Sequence, residues 1–258
     1  MNNIKKTISF FSGNGTELIG KYFFPNDQEK KFPVVVVLTG DGKKGSESST
    51  WANIPSMLSE RGIATFIFDF EGLGLSKGYR NNLCLSVGLD NIEKAMKQVY
   101  SETKIDTSRI GLFGSSFGGN IAVLYAAKDK NIKVIGLKSP VSFYPDSFIA
   151  EFGELEITEW KKKNYAEVIG FNYNFYIDSM KYNTYAAAMQ ISCPCKIIHG
   201  NRDTVVPVTQ SMHLNAALNT ITESSLKILD GVGHQYSEEG AWEVMASLIT
   251  DWFYEKLK

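Results

Sequence analysis

Pro33-Val34-Val35-Val36-Val37-Leu38 is the segment that most restricts the fold. A strand with one face in water alternates apolar and polar side chains. This run is β-branched and unbroken, and it closes on Thr39-Gly40, as expected of a strand covered on both faces within a parallel sheet. Similar short runs recur at Ile63–Phe68, Ile110–Phe113, Val134–Leu137, Lys196–Ile198 and Leu226–Leu229. Each meets a Gly, Asp or Ser within two residues of its end, where a loop can begin. Between them lie helical patterns: Ile54, Met57 and Leu58; Leu85, Leu89, Ile92, Met96 and Val99; and a C-terminal stripe from Trp242 to Phe253 whose apolar residues recur three or four apart. That spacing lines one face of a helix. Strands alternating with helices predict an α/β architecture, a mostly parallel sheet with helices on both faces. Ahead of them, Thr7–Phe11 and Glu17–Phe24 flank Ser12-Gly13-Asn14-Gly15, which predicts an N-terminal antiparallel hairpin.

One stretch interrupts this rhythm. Residues 140 to 185 contain no strand of the buried kind but hold 12 aromatic residues, roughly twice the chain-wide frequency of 12%. The reading is an inserted helical cap or lid, residues 140–189, on a core formed by 1–139 and 190–258. Its aromatics serve as a small core of its own, line a substrate pocket, or do both.

Composition narrows the partners. The 258 residues carry 27 Lys+Arg against 28 Asp+Glu, for a formal net charge of −1. Nucleic-acid binding by charge needs a basic patch or stripe. Lys161-Lys162-Lys163 is the one short basic run and reads as a solvated helix face. No window approaches the ~18 apolar residues of a membrane span, and Met1-Asn2-Asn3-Ile4-Lys5-Lys6 leads into no secretory apolar region. Cys84, Cys193 and Cys195 are too few and odd in number for a disulfide framework. Cys193-Pro194-Cys195 lacks the two-residue spacer of a redox or zinc pair and runs into an apolar segment, so buried thiols are expected. These features exclude nucleic-acid and membrane partners from the reading and suggest a cytoplasmic location.

Chemistry concentrates in three places. Gly114-Ser115-Ser116-Phe117-Gly118-Gly119 sits between the strand-like Arg109–Phe113 and the helix-like Asn120–Ala126. A Ser at the centre of such a turn is strained and exposes its hydroxyl at the sheet edge, while the glycines let strand and helix approach. Ser116 is therefore the candidate nucleophile, and Ser115 falls one place too early. A serine hydroxyl needs a general base beside it, and the chain offers three histidines. His213 lies in a helical stretch, Val208 to Leu218, and reads as a surface or packing residue. His199 closes the strand Lys196–Ile198 and reads as shaping the following turn. His234 sits in the loop Gly231-Val232-Gly233-His234, after a strand and before the last helix, and is the candidate base. The carboxylate that orients it is Asp203 in Gly200-Asn201-Arg202-Asp203. All three candidates follow different strands, on the edge where open α/β sheets place their sites.

On these motifs the chain resembles the serine esterases of the α/β-hydrolase superfamily, and within it the small bacterial cinnamoyl and feruloyl esterases. Phe68-Asp69-Phe70-Glu71-Gly72-Leu73-Gly74-Leu75-Ser76-Lys77-Gly78 is similar to their loop after the second parallel strand, and the likeness runs from about residue 17 to the C-terminus. The resemblance implies an eight-stranded sheet that includes the hairpin, with 140–185 as cap. Asp69, Gly72, Gly74 and Ser76 then organise the loop beneath the site. It also implies an oxyanion hole made by the backbone N–H groups of Phe117 and Asp41, although relatives commonly carry His-Gly where this chain has Thr39-Gly40. The implied reaction is hydrolysis of a small-molecule carboxylic ester with an apolar or aromatic acyl group, through an acyl-enzyme and with no metal or organic cofactor. The same side chains also suit a thioesterase, acyltransferase or peptidase, and the fold suits a non-catalytic binding protein. The sequence leaves the oligomeric state open, a homodimer included.

Overall fold

The computed structural model describes residues 4–27 and 31–258, so the reading of Met1 to Asn3 lies outside the described residues. Strands β1 (Ile4–Phe11) and β2 (Glu17–Phe24) form the expected hairpin. Its turn is longer than a two-residue Asn-Gly turn: Ser12 N–H bonds Thr16 O at 3.0 Å, and of the loop residues only Gly15 has positive φ. Then follow β3 (Phe32–Leu38), α1 (Ile54–Ser59), β4 (Ala64–Phe68), α2 (Leu85–Ser101), β5 (Ile105–Ser115), α3 (Phe117–Ala126) and β6 (Ile132–Lys138). After the 140–189 segment come β9 (Cys195–Gly200), α7 (Val208–Leu218), β10 (Ser224–Leu229) and α8 (Ala241–Leu257), once the two short strands β7 (Tyr165–Ala166) and β8 (Phe171–Asn172) are counted.

Eight strands make one sheet in the order β1-β2-β4-β3-β5-β6-β9-β10. The β1/β2 and β2/β4 pairs are antiparallel and the remaining pairs parallel. The valine run shows why the sheet needs two coverings. Val34, Val36 and Leu38 point into one buried cluster with α2 and α3, while Val35 and Val37 point into another with α1 and α8. Alternate residues of a strand face opposite sides, and each buried Val contributes roughly 1.5–3 kcal/mol. No described helix is long and apolar enough to cross a membrane. All three cysteines are free and buried, and Lys162 and Lys163 pair with Glu159 on an exposed helix face.

Residues 140–189 hold α4 (Tyr144–Lys163), the short β7–β8 hairpin, α5 (Asn174–Ser179) and α6 (Thr184–Ala188). Helix α4 is kinked at Gly153, whose φ of 80° and ψ of 160° lie outside the helical region. The aromatics form a contiguous stack: Phe148 meets Tyr144, Trp160, Phe175 and Tyr176 with ring centroids 5.1–6.2 Å apart. The Trp160 and Phe175 rings meet it edge-on, and aromatic pairs of this kind add about 0.5–1.5 kcal/mol each beyond burial. Directional bonds tie the segment to the sheet side. Gln210 on α7 accepts the N–H groups of Ser142 and Phe143 and donates to Phe143 O. Asn120 donates to Val141 O and Thr184, and Asp178 accepts both the N–H and hydroxyl of Ser86 at the start of α2.

Candidate active site

The turn between β5 and α3 is strained at its centre. Ser116 has φ 51° and ψ −114°, a region costing a non-glycine residue on the order of 1–3 kcal/mol. It is held there from both sides: Ser116 N–H bonds Lys138 O at 3.0 Å, and Val141 N–H bonds Ser116 O at 3.2 Å. The glycines permit the crossing, since a Cβ on Gly118 would collide with the Leu38 carbonyl and one on Gly114 with the Gly118 carbonyl. Phe117 opens α3, and neither its N–H nor that of Asp41 bonds within the described protein. The Asp41 loop lies against the nucleophile candidate, because a Cβ on Gly40 would stand 3.5 Å from Ser116 Cβ. The Asp41 charge acts on Tyr144 and Glu151 of α4.

Asp203 lies in the turn that leaves β9. Its Oδ1 accepts the N–H groups of Val205 at 3.0 Å and Val206 at 2.7 Å. Its Oδ2 accepts Nδ1–H of His234 at 2.6 Å. Burial pushes this carboxyl up, but hydrogen bonds from His199, His234 and the Val206 amide, with the charge of His234, outweigh burial and hold it well below the usual carboxylate range. The His234 loop is pinned through its own backbone: Lys138 Nζ donates to His234 O at 2.9 Å and stands 4.2 Å over the Tyr236 ring. Tyr236 in turn donates to Ile198 O at 3.0 Å. Burial draws the Lys138 ammonium down to about 8, with the charge of Asp203 acting in the opposite sense.

Ser116 and His234 line one cavity of about 410 Å³. Asp203 is joined to His234 directly; no hydrogen bond links Ser116 to His234, and such pairs commonly tighten only around bound substrate. Thr39, Asp41 and Lys138 form its sheet-side wall, and Tyr144, Phe148, Phe152 and Phe171 the opposite one. The buried hydroxyls of Thr39 and Tyr144 have no hydrogen-bond partner among the described residues. Crowding by protein and the charges of Asp41 and Asp203 raise the Glu151 carboxyl at the mouth to about 7, with Arg80 acting oppositely. Beneath, Asp69 accepts Ser46 N–H, the Ser46 hydroxyl and Leu75 N–H, while Ser76 donates to Asp69 O, so the 68–78 loop is organised as expected. His213 is an exposed residue beside Tyr185. No group of His, Cys, Asp and Glu among the described residues is arranged to hold a metal.

Three cavity residues carried no sequence signal of their own. Lys138 reads as the polar end of a strand, and Glu151 as one acidic residue in a helix rich in them. Arg80 lies 39 positions from Asp41, yet its Nε donates to Asp41 O at 2.9 Å and its Nη1 to Gly170 O at 3.2 Å, over the Phe171 ring at 4.0 Å.

The family model of the prolyl oligopeptidase family matches residues 49–258. The chain belongs to the prolyl oligopeptidase family. A putative alpha/beta hydrolase of Acanthamoeba polyphaga mimivirus is 25% identical over 224 residues, covering 84% of this chain and 73% of that one. Est1E from Butyrivibrio proteoclasticus, solved with ferulic acid bound, superposes with a TM-score of 0.83 at 22% identity, over 96% of this chain and 98% of Est1E. The acylaminoacyl peptidase of Pyrococcus horikoshii does so with a TM-score of 0.81 at 23% identity, over 100% of this chain and 42% of that one. This prolyl oligopeptidase family member therefore has the α/β-hydrolase fold that its motifs resemble, with a peptidase and an esterase both among its structural neighbours.

Proposed function

We propose that the protein is a serine hydrolase that cleaves carboxylic esters with an apolar or aromatic acyl group. The observation that carries this reading is the 2.6 Å bond to the buried Asp203 carboxylate from Nδ1 of His234, which lines the same cavity as the strained Ser116. With Nδ1–H committed to Asp203, Nε2 is the nitrogen left to act as base. Ser116 Oγ attacks the ester carbonyl carbon while its proton passes to His234 Nε2. The developing oxyanion accepts from the Phe117 and Asp41 N–H groups, which are unspent within the protein; losing one such donor typically lowers the rate ~10²–10³-fold. The tetrahedral intermediate collapses, His234 returns the proton to the leaving alcohol oxygen, and the acyl group stays on Ser116. Water, deprotonated by the same imidazole, then releases the acid. Residues 140–189 act as a cap whose rings bind the acyl group, and the orphan hydroxyls of Thr39 and Tyr144 suit a polar atom on it.

A second reading, cleavage of a short peptide, is favoured by membership of the prolyl oligopeptidase family. The steps are the same with an amine leaving. Ser116→Ala in a panel of graded p-nitrophenyl esters and aminoacyl p-nitroanilides tests both. The expected result is loss of at least ~10³-fold of ester turnover, retained melting behaviour, and loss of fluorophosphonate labelling. Undiminished turnover removes the hydrolase reading, and a wild-type protein that turns over anilides but no ester selects the peptidase.

A further inference from the structure

His199, at the end of β9, is entirely buried, and its ring is fully engaged. Nε2 lies 3.0 Å from Val206 O and 3.1 Å from Asp203 Oδ2. Both neighbours are acceptors, so Nε2 carries a proton, shared between them. Nδ1 lies 2.6 Å from the Ser211 hydroxyl on α7, which is free to donate to it. Oδ2 of Asp203 thus accepts the His234 Nδ1–H at 2.6 Å and also lies 3.1 Å from His199 Nε2, whose proton Val206 O shares. The two backbone N–H groups on Oδ1 complete the shell. A turn needs only the bond to Val206 O; the contact with Oδ2 lies outside that requirement.

We propose that His199 is a positioning residue for the catalytic base: it fixes the Asp203 carboxylate that aims His234, with Ser211 holding the His199 tautomer in turn. The proposal rests on the serine hydrolase reading for its kinetic consequence, though not for its structural one. With the second donor in place, Oδ2 cannot rotate toward other partners, and the carboxylate presents one fixed oxygen to His234. Remove that donor and two things change together. The carboxylate gains rotational freedom, and the negative charge it offers to the His234 Nδ1–H increases, because it is no longer divided between two donors.

The test uses the full-length chain and exploits its having only three histidines, of which His213 is exposed. His199→Phe, His199→Gln and Ser211→Ala are compared with wild type in ester turnover and in the downfield proton NMR resonance of the His234 Nδ1–H. Phe keeps a ring of similar girth without the donor; Gln keeps a donor close to the Nε2 position. For Phe the expectation is a ~10–100-fold fall in kcat, a scale typical of a displaced catalytic group, with KM within about twofold and the resonance shifted. Gln recovers part of kcat and moves the resonance back toward wild type. Ser211→Ala lowers kcat a few-fold in the same sense. A folded Phe variant with wild-type kcat and an unmoved resonance overturns the proposal, as does a Gln variant no better than Phe. If the Phe variant fails to fold, Ser211→Ala and Gln decide, and wild-type kcat with an unmoved resonance in both overturns it. Ser116→Ala in the same assay separates the two readings: retained turnover there removes the hydrolase, while the resonance still reports on the His199–Asp203 contact.

Discussion

The cavity has two walls built on different physics. On the sheet side, the candidate reacting groups are held by directional bonds: Ser116 by Lys138 O and Val141 N–H, His234 by Asp203 and by Lys138, and Asp203 behind it by the Val205 and Val206 N–H groups. On the opposite side, built by the 140–189 segment, Tyr144, Phe148 and Phe152 are held mainly by contact with other rings. Hydrogen bonds lose their value within a few tenths of an ångström or some tens of degrees, whereas apolar burial is non-directional. On the proposed ester-hydrolase reading, the reacting groups sit on the first wall and a surface that adapts to different acyl groups on the second. The difference teaches that one molecule can be intolerant of substitution within a few ångströms of where it is permissive.

The comparison can be pressed hardest at Asp203. Asp203→Asn keeps an oxygen for the Val205 and Val206 N–H groups but turns an N–H₂ toward two imidazole donors, forcing His234 into the wrong tautomer. The expected fall in kcat is ~10⁴-fold, with KM little changed in steady-state ester assays; a fall below tenfold breaks the claim that the first wall works by direction.

Lys138 tests the same wall through stability. Its folded pKa lies at about 8, below the ordinary 10.5, so the buried ammonium destabilises the folded chain below pH 8. Between 8 and 10.5 the unfolded chain still holds the proton that the folded one has lost, and stability rises with pH. The rise is on the order of 3 kcal/mol. Urea melts from pH 7 to 10.5 should show it in wild type and not in Lys138→Met; parallel curves for the two proteins contradict it.

The smallest effect belongs to the 140–189 segment. Phe152→Ala is expected to change the ratio of kcat/KM between long and short acyl esters about tenfold, the scale of a remodelled apolar pocket. Fluorophosphonate labelling of Ser116 should stay within about twofold. A large loss of labelling would show the two walls to be one.

Sequence patterns exposed the first wall's scaffold better than its wiring. The valine run announced a sheet covered on both faces, α7 spans Val208–Leu218 as its pattern suggested, and the Gly-x-Ser-x-Gly turn marked a bend that only glycines allow. Those features are local, so the sequence carries them. The bond from His199 to Asp203 is local in number but depends on how the loop 200–206 folds back, and the sequence alone supported only a turn-shaping role. Lys138 is buried because Tyr236, 98 residues later, closes over it, and no composition signals that. In the 140–189 segment the aromatics showed that something packs there. The Gly153 kink and the two-residue strands β7 and β8 were not visible, since two residues are too few to display a period.

Arg80 makes the walls answer to each other. Its guanidinium grips the Asp41 carbonyl with one nitrogen and the Gly170 carbonyl with another while its carbon stands 4.0 Å over the Phe171 ring. If the β7–β8 hairpin swings outward, the cation must either travel with it and let go of Asp41, or stay and be stripped of the ring beneath it. On the proposed ester-hydrolase reading, admitting a substrate and setting the loop that would meet its carbonyl then become a single mechanical event, hinged on one side chain.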